Sequence, residues 1–491
     1  MAKIIIIGAG IGGLATANLL ARDGHDVHVF EKNDQLGGRA GRFEKDGFTF
    51  DTGPSWYLMP EVFERYYQQL DTTAEQELDL IKLTPAYKIY SGEKSIVITG
   101  DIEKDAKTFD EIEPGSGRAL RRYVKQSVQT YRLSLKHFLY SNFDSPRKLL
   151  HFEILSRGIK MIALALTPIH TYVRRRFKNP RLQQILEYPT VFLGSSPFQA
   201  PALYSLMSAL DFDEGVYYPR GTMYAVVESL VRIGNSMGVA YHTSTPVQQI
   251  LTEDGAAKGV KLDGDRIEYA DVVISNADLH FTETNLLQPS EQTYPESYWK
   301  KRQASPSALL MYLGIEGKIP EFEHHTLLFT DDWQQNFDAI FKSKTIPKPA
   351  SLYISKTSQS DTTAPHNHEN VFVLVPLPAD ISLPAEDLEA LADSYLEQIK
   401  STTGVDLHRR TVSRTLFGPN DFARTYNAWQ STMLGPSHRL SQSAFFRTAN
   451  KSKKVSGLYY VGASTTPGIG VPMCLIGAEM VVERLKKEGV V

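Results

Sequence analysis

Lys3-Ile4-Ile5-Ile6-Ile7-Gly8-Ala9-Gly10-Ile11-Gly12-Gly13 opens the chain, and the rest of the fold can be read outward from it. Four isoleucines in a row, without alternation, suit a strand buried on both faces, and the glycines end the run. Leu14, Ala17, Leu19 and Leu20 then recur at helical spacing, with Gly24 placed as the helix terminator. Asp26 to Glu31 reads as a second strand, with Val27 and Val29 on one face. Strand, tight turn, helix and strand form a βαβ unit, so the fold class expected is α/β with a parallel sheet covered by helices.

Gly8, Gly10 and Gly13 satisfy G-x-G-x-x-G, with Gly12 inside the turn. The first glycine permits the sharp turn and the second lets a pyrophosphate approach the backbone. The third seats the helix close to the strand, placing the phosphates at a positive helix N-terminus. The pattern alone is weak. Here it follows a strand, opens a helix and precedes Glu31, 18 residues after Gly13, where a carboxylate accepts ribose hydroxyls. That carboxylate would repel a 2′-phosphate, which leaves FAD or NAD. In Leu36-Gly37-Gly38-Arg39 two glycines expose backbone amides and Arg39 adds a cationic fork beside the pyrophosphate. The segment resembles the continuation of the fingerprint in flavoproteins of the glutathione-reductase and amine-oxidase lineage, and that resemblance implies FAD.

A second glycine turn lies near the other end. Leu458 to Ala463 is a strand ending in Gly462, and Pro467-Gly468-Ile469-Gly470-Val471-Pro472-Met473 leads into an apolar helix whose N-terminus can face another part of the dinucleotide. Between these ends the chain leaves the first unit and returns. Helical patterns dominate from Gly115 to Gln199, and short β-rich pieces return from Val239 to Asp278. Strand-like runs follow at Ser307 to Gly314 and Asn370 to Leu377, and a helical pattern covers Pro384 to Ser401. Thr357 to Glu369 reads as a polar loop. The expected division is 1–90, 220–290 and 450–491 as the dinucleotide-binding domain, with 91–219 and 291–449 as the substrate domain.

Composition narrows the function. The 491 residues are 42% hydrophobic and 22% charged, which suits a globular chain. With 53 Lys+Arg against 56 Asp+Glu the net charge is −3, giving no general attraction for nucleic acid. The lone Cys474 forbids an intrachain disulfide and favours a reducing, cytoplasmic address. Neither a signal peptide nor a membrane-spanning run is expected, so any membrane contact is peripheral. Nucleophile elbows, zinc-protease motifs and phosphate-binding P-loops are absent. His324-His325 and His366-x-His368 read as solvated loop histidines, and no metal site is expected.

Four stretches together resemble the bacterial and fungal phytoene desaturase family, the carotenoid dehydrogenases: Phe48 to Ser55, Gly215-Val216-Tyr217-Tyr218-Pro219-Arg220-Gly221, Ser275-Asn276-Ala277-Asp278 and Val461 to Pro472. Weaker matches at Ser351 to Pro378 and Phe417 to Arg447 extend the resemblance over almost the whole chain. It implies a Rossmann-like FAD-binding domain of the glutathione-reductase type, a discontinuous α+β substrate domain and a helical membrane-associating region. Carried over, Gly8, Gly10, Gly13, Glu31, Gly38 and Arg39 hold the adenosine and pyrophosphate, and Gly12, Lys32, Gly53 and Pro54 are further cofactor-binding residues. Val247 touches the adenine side through its backbone, and Asn276 and Ala277 lie at the cofactor face. Gly462, Gly470, Val471, Pro472 and Met473 approach the ribityl chain and flavin. Thr466 departs from a frequent histidine of the family motif and Met473 from a frequent glycine.

The resemblance implies a long isoprenoid polyene as substrate and desaturation as reaction. Hydride leaves an allylic methylene for the flavin, and a proton then leaves the delocalised cation, with oxygen or a quinone as final electron acceptor. The flavin carries the difficult step, so few acid or base side chains are needed and no catalytic residue is assigned. Asp211, Asp213 and Glu214 contain a possible proton acceptor, and a solvated acidic turn explains them equally well. A forty-carbon substrate, at about 0.8 kcal/mol per CH₂, gives up roughly 30 kcal/mol on entering water, so capture must occur at a membrane. Leu149 to Arg176 is the expected docking element, with apolar Met161 to Leu166 between Lys160 and Arg174-Arg175-Arg176. An ordinary amphipathic helix is its plainer reading. A C30 diapophytoene desaturase, a 3,4-desaturase, a ketolase-like relative, an amine or protoporphyrinogen oxidase, and a non-catalytic prenyl-lipid carrier of the GDP-dissociation-inhibitor type remain alternatives.

Overall fold

The computed structural model describes residues 1–92, 94–142 and 158–491, and the side chains of these except 158–160. At its centre is a five-stranded parallel sheet built from β1 (Lys3–Ile7), β2 (Asp26–Phe30), β3 (Ala240–His242), β4 (Val272–Ser275) and β5 (Leu458–Tyr460), in the order β5-β4-β1-β2-β3. The isoleucine run occupies the middle position. Ile4 and Ile6 enter the core on one face while Ile5 and Ile7 pack on the other, beside Val260 and Trp299, so every residue of the run is apolar.

One face of the sheet carries three helices: α1 (Ile11–Arg22), α2 (Tyr224–Ser236) and α3 (Val471–Lys487). α1 packs against both others, so the two ends of the chain meet. Gly24, in the left-handed region at φ +85°, ends the first helical segment. The other face is covered by a three-stranded antiparallel sheet, Val247–Glu253, Ala256–Leu262 and Ile267–Tyr269, inserted between β3 and β4.

A second, seven-stranded sheet runs in the order Thr411–Phe417, Ser307–Glu316, His368–Leu377, Leu352–Ser355, His325–Phe329, Tyr87–Ser91, Lys94–Ile98. Its pairs are antiparallel except His325–Phe329 with Tyr87–Ser91. Tyr87–Ser91, from the first expected segment, is thus hydrogen-bonded into the second sheet. Strand period 2 divides His368–Leu377: Val371, Val373 and Val375 pack toward helix Ala385–Thr403, whereas Phe372, Leu374 and Pro376 face a cavity. Tyr131 and Ser134 of helix Ser116–Ser134 also line that cavity, with Phe138 and Leu139 just beyond it and residues of Tyr188–Leu193.

Of the expected docking element, residues 149–157 lie outside the described residues. The apolar run falls in the helix Gly158–Leu166, with Ile162 60% and Leu166 71% exposed but Leu164 buried. Among the described residues no helix is long and apolar enough to cross a membrane.

Candidate functional site

The first turn is shaped mainly by its glycines. Gly8 adopts φ +92°, a region costly for any residue bearing a Cβ. A Cβ on Gly13 would strike the Gly8 carbonyl, and one on Gly10 would lie 2.9 Å from the Asn276 amide nitrogen. The Leu36-to-Arg39 loop lies over the turn: Gly37 donates its N–H to the Ala9 carbonyl at 2.8 Å, and a Cβ on Gly38 would sit 3.2 Å from the Gly10 Cα. Asn276, at the end of β4, donates its amide to the Gly8 carbonyl at 3.1 Å and packs against both Gly12 and Gly462. One side chain therefore joins the two glycine turns.

The second turn is braced by side chains. Buried Arg447 donates to the carbonyls of Ala463 (2.5 Å) and Thr465 (3.0 Å), and Asn450 to those of Tyr460 (3.3 Å) and Thr466 (2.9 Å). Burial without a carboxylate partner pulls the Arg447 guanidinium down to about 10. Gly462, Gly468 and Gly470 all have positive φ. Thr466, the departure from the family histidine, is buried and donates to the Thr448 carbonyl at 3.1 Å. α1 and α3 both begin at a glycine with no side-chain cap, so two positive helix ends open toward one cavity.

That cavity, about 640 Å³, brings together Gly8, Gly10, Gly12, Glu31, Lys32, Gly38, Arg39, Gly53, Pro54, Val247, Asn276, Ala277, Gly462, Gly470, Val471, Pro472 and Met473. Gly13 lies beneath the turn and does not line it. Glu31, 5% exposed, accepts N–H bonds from Ala9 (2.8 Å) and Asn33 (2.9 Å) at the end of β2. Lys32 turns the other way, its ammonium bonded to the Arg424 carbonyl (2.7 Å) and Asn427 (3.0 Å); burial pulls its pKa below the usual value. The Arg39 guanidinium lies 5.2 Å from the Tyr426 ring, and its buried Nε has no hydrogen-bond partner among the described residues.

The rest of the lining is largely apolar and includes Trp56, Phe138, Leu139, Phe192, Leu206, Phe337 and Phe341. Sequence reasoning missed the polar groups bordering this half. His324 and His325, expected as solvated, are 2% and 0% exposed, because His325 starts a fully buried strand. The His325 ring stacks on Trp56 at 4.3 Å and its Nδ1 lies 2.7 Å from the Tyr353 hydroxyl. Burial pushes both imidazoles down, His324 to about 3. Asp211 is likewise not a solvated turn residue. It is 1% exposed and accepts the Tyr188 hydroxyl at 2.9 Å, and burial pushes its carboxyl up to about 7. Burial also pushes the Cys474 thiol up to about 11, leaving it uncharged near neutrality. Among the described residues there is no group of three or more potential metal ligands.

Two glycine turns meeting beneath a parallel sheet, with an acid at the end of β2, define a dinucleotide-dependent oxidoreductase site. The chain belongs to the flavin-containing amine oxidoreductase family, whose pattern it matches over residues 11–485. It is 41% identical to the carotenoid 3,4-desaturase of Haloarcula japonica, covering 98% of this chain and 97% of that one. Identity is 36% to the phytoene desaturase of Neurospora crassa (99% and 84% covered) and 33% to the zeta-carotene-forming phytoene desaturase of Myxococcus xanthus (98% and 93%). The fold is shared with an oxidoreductase from Methanosarcina mazei (19% identity, TM-score 0.63, 98% and 100% covered) and cyclohexylamine oxidase from Brevibacterium oxydans (13%, 0.60, 99% of each). The cofactor is FAD. The site fits it on three observations: the unpartnered Arg39 Nε, two uncapped helix ends and glycines that leave no room for a Cβ.

Proposed function

We propose that this FAD-dependent enzyme is a carotenoid desaturase, forming C=C bonds in a long isoprenoid polyene such as phytoene or one of its desaturation intermediates. The observation that carries this reading is that the cavity lined by both glycine turns is also lined by many aromatic and aliphatic side chains, including Trp56, Phe138, Leu139, Phe192, Phe337 and Phe341, which suits an apolar polyene better than a small amine. FAD held by these turns would supply the acceptor for a hydride leaving an allylic methylene. The protein's part is to hold the polyene extended, keep water away and take up the proton. Phe192, Phe337 and Phe341 offer only apolar contact, so substrate position is set by shape and by where the cavity meets the turns.

In this reading Gly8, Gly10, Gly12, Gly13, Glu31, Gly38 and Arg39 hold the adenosine and pyrophosphate, helped by Val247, Asn276 and Ala277. Gly53, Pro54, Gly462 and Gly470 to Met473 hold the ribityl and flavin end. Lys32 acts by fixing the 424–427 loop over the adenosine side. The parallel sheet, with its three-stranded antiparallel crossover, supports a glutathione-reductase type of FAD-binding domain formed by 1–90, 220–290 and 450–491. The remainder forms the substrate domain.

Docking is peripheral, from the cytoplasmic side. Exposed Ile162 and Leu166 lie on a helix packed against Ala202–Leu206, and Tyr204 of that segment bonds Ser443 at 2.9 Å, next to exposed Phe446. Leu203, Tyr204, Ser443 and Ala444 also line the cavity, so two exposed apolar patches flank one wall of it. We read this as the entrance, with Arg174 and Arg175 exposed nearby in sequence for anionic headgroups. Oxygen or a membrane quinone takes the electrons onward.

Incubating FAD-loaded enzyme with phytoene, ζ-carotene and lycopene in liposomes, then separating the pigments, tests the reading. Conversion of one of them is expected, and the product pattern separates phytoene desaturation from 3,4-desaturation. Protein that holds FAD and converts none refutes the desaturase; colourless protein that binds polyene but no FAD supports the carrier.

A further inference from the structure

Loss of hydride leaves a delocalised carbocation, which becomes an alkene only when a neighbouring C–H gives up its proton. The group receiving it need not be a strong base, since such a cation is very acidic, but it must lie near the flavin turn and have a lone pair that is not already engaged. Among the described cavity-lining residues few meet this. Glu31 and Asp278 are carboxylates already tied to backbone amides, Asp278 to those of His280, Phe281 and Trp429. Burial keeps the Cys474 thiol and the Tyr353 phenol protonated.

His438 remains. It is 4% exposed yet lines the cavity, and its Nδ1 is buried with no hydrogen-bond partner among the described residues. The adjoining Nε2–Cε1 edge of the ring lies against Gly468 so closely that a Cβ there would collide with both atoms, and Gly468 itself adopts φ +147°. The imidazole therefore abuts the 467–470 turn on one side and stacks on the Tyr204 ring, at 5.9 Å, on the other. The His438 backbone N–H is fixed to the Leu193 carbonyl at 3.1 Å.

We propose that His438 is the proton acceptor of the reaction and so a catalytic residue, an inference that rests on the desaturase reading. As the C–H bond next to the cationic carbon breaks, its electron pair becomes the new π bond and the proton forms an N–H bond at Nε2, the nitrogen on the Gly468 side, the buried Nδ1 carrying the proton of the neutral ring. No further oxidant is involved, since the hydride has already gone to FAD. Burial, reinforced by the neighbouring Arg447 cation, holds the imidazole well below its usual pKa, so the ring is neutral when the proton arrives and does not keep it.

The test compares wild type, His438→Gln and His438→Phe, with Asp211→Asn as a comparison for the other buried acid near the cavity. The substrate is whichever of phytoene, ζ-carotene or lycopene the wild type converts in phosphatidylcholine liposomes. Flavin content, melting temperature, kcat, KM and the deuterium isotope effect at the proton-losing carbon are read together. Both histidine variants are expected to keep flavin and KM while kcat falls on the order of a hundredfold or more, with an increased isotope effect. Near-normal kcat in a flavin-loaded variant overturns the proposal, as does loss of kcat only in Asp211→Asn. Loss of flavin in both histidine variants assigns His438 to packing on Gly468 and also overturns it. If the wild type converts none of the three, the desaturase reading itself fails, a result distinct from all of these.

Discussion

The two glycine turns face the same cavity and share Asn276, yet they are built differently. The first is shaped mainly by glycine geometry: Gly8 supplies a left-handed conformation, Gly13 lets α1 sit on β1, and Gly37 contributes a backbone bond, with one side-chain bond each from Asn276 and Glu31. The second needs distant residues. Arg447 and Asn450 hold its carbonyls, and the His438 ring fills the space that Gly468 leaves. A turn made by backbone fails when a side chain is added; one made by braces fails when a side chain is removed.

Gly10→Val applies the first test and carries the largest expected effect. A branched side chain placed 2.9 Å from the Asn276 amide fills the pyrophosphate approach, so purified protein should be folded and lack flavin absorbance. Normal flavin content would break the comparison at once. Arg447→Met applies the second. Leaving the Ala463 and Thr465 carbonyls without donors should cost about 3 kcal/mol in denaturant unfolding and weaken flavin retention. If stability is unchanged, the braces are not what shapes the turn.

Arg39→Gln sharpens the picture on the first side. Loss of one charge-assisted contact, at about 1.5 kcal/mol, should raise the FAD dissociation constant roughly tenfold by titration of apoprotein. Asp211→Asn probes the apolar half. The folded carboxyl is pushed up to about 7 from 3.8, so its favourable contribution is full below pH 4 and disappears as pH rises to about 7. The variant should therefore gain in melting temperature relative to wild type as pH rises from about 4 to about 7, by a few degrees, with little further change above. A constant difference across that range would place the ionisation elsewhere.

The parts legible in sequence share a physical feature: they are local. The isoleucine run, the glycine spacing and Gly24 fix β1, α1 and β2 within thirty residues, and the strands Ser307–Glu316 and His368–Leu377 follow from apolar runs. His325 was misread because a histidine pair looks polar in isolation. Its strand lies between Leu352–Ser355 and Tyr87–Ser91, and that pairing decides its burial. Asp211 was ambiguous for the same reason, since the hydroxyl partners that permit its burial come from Tyr87 and Tyr188. His438 and Arg447 fall in loops with no periodicity to mark them.

By itself, then, the sequence determined the βαβ unit, both glycine turns and the acid at the end of β2, because strand period, helix period and left-handed glycines act over a few residues. Only the tertiary structure decided that the ends of the chain pack together and that a cavity continues from the turns between aromatic walls. It also decided which titratable groups are buried beside that cavity. Those outcomes depend on contacts between residues far apart in the chain, which no local pattern records.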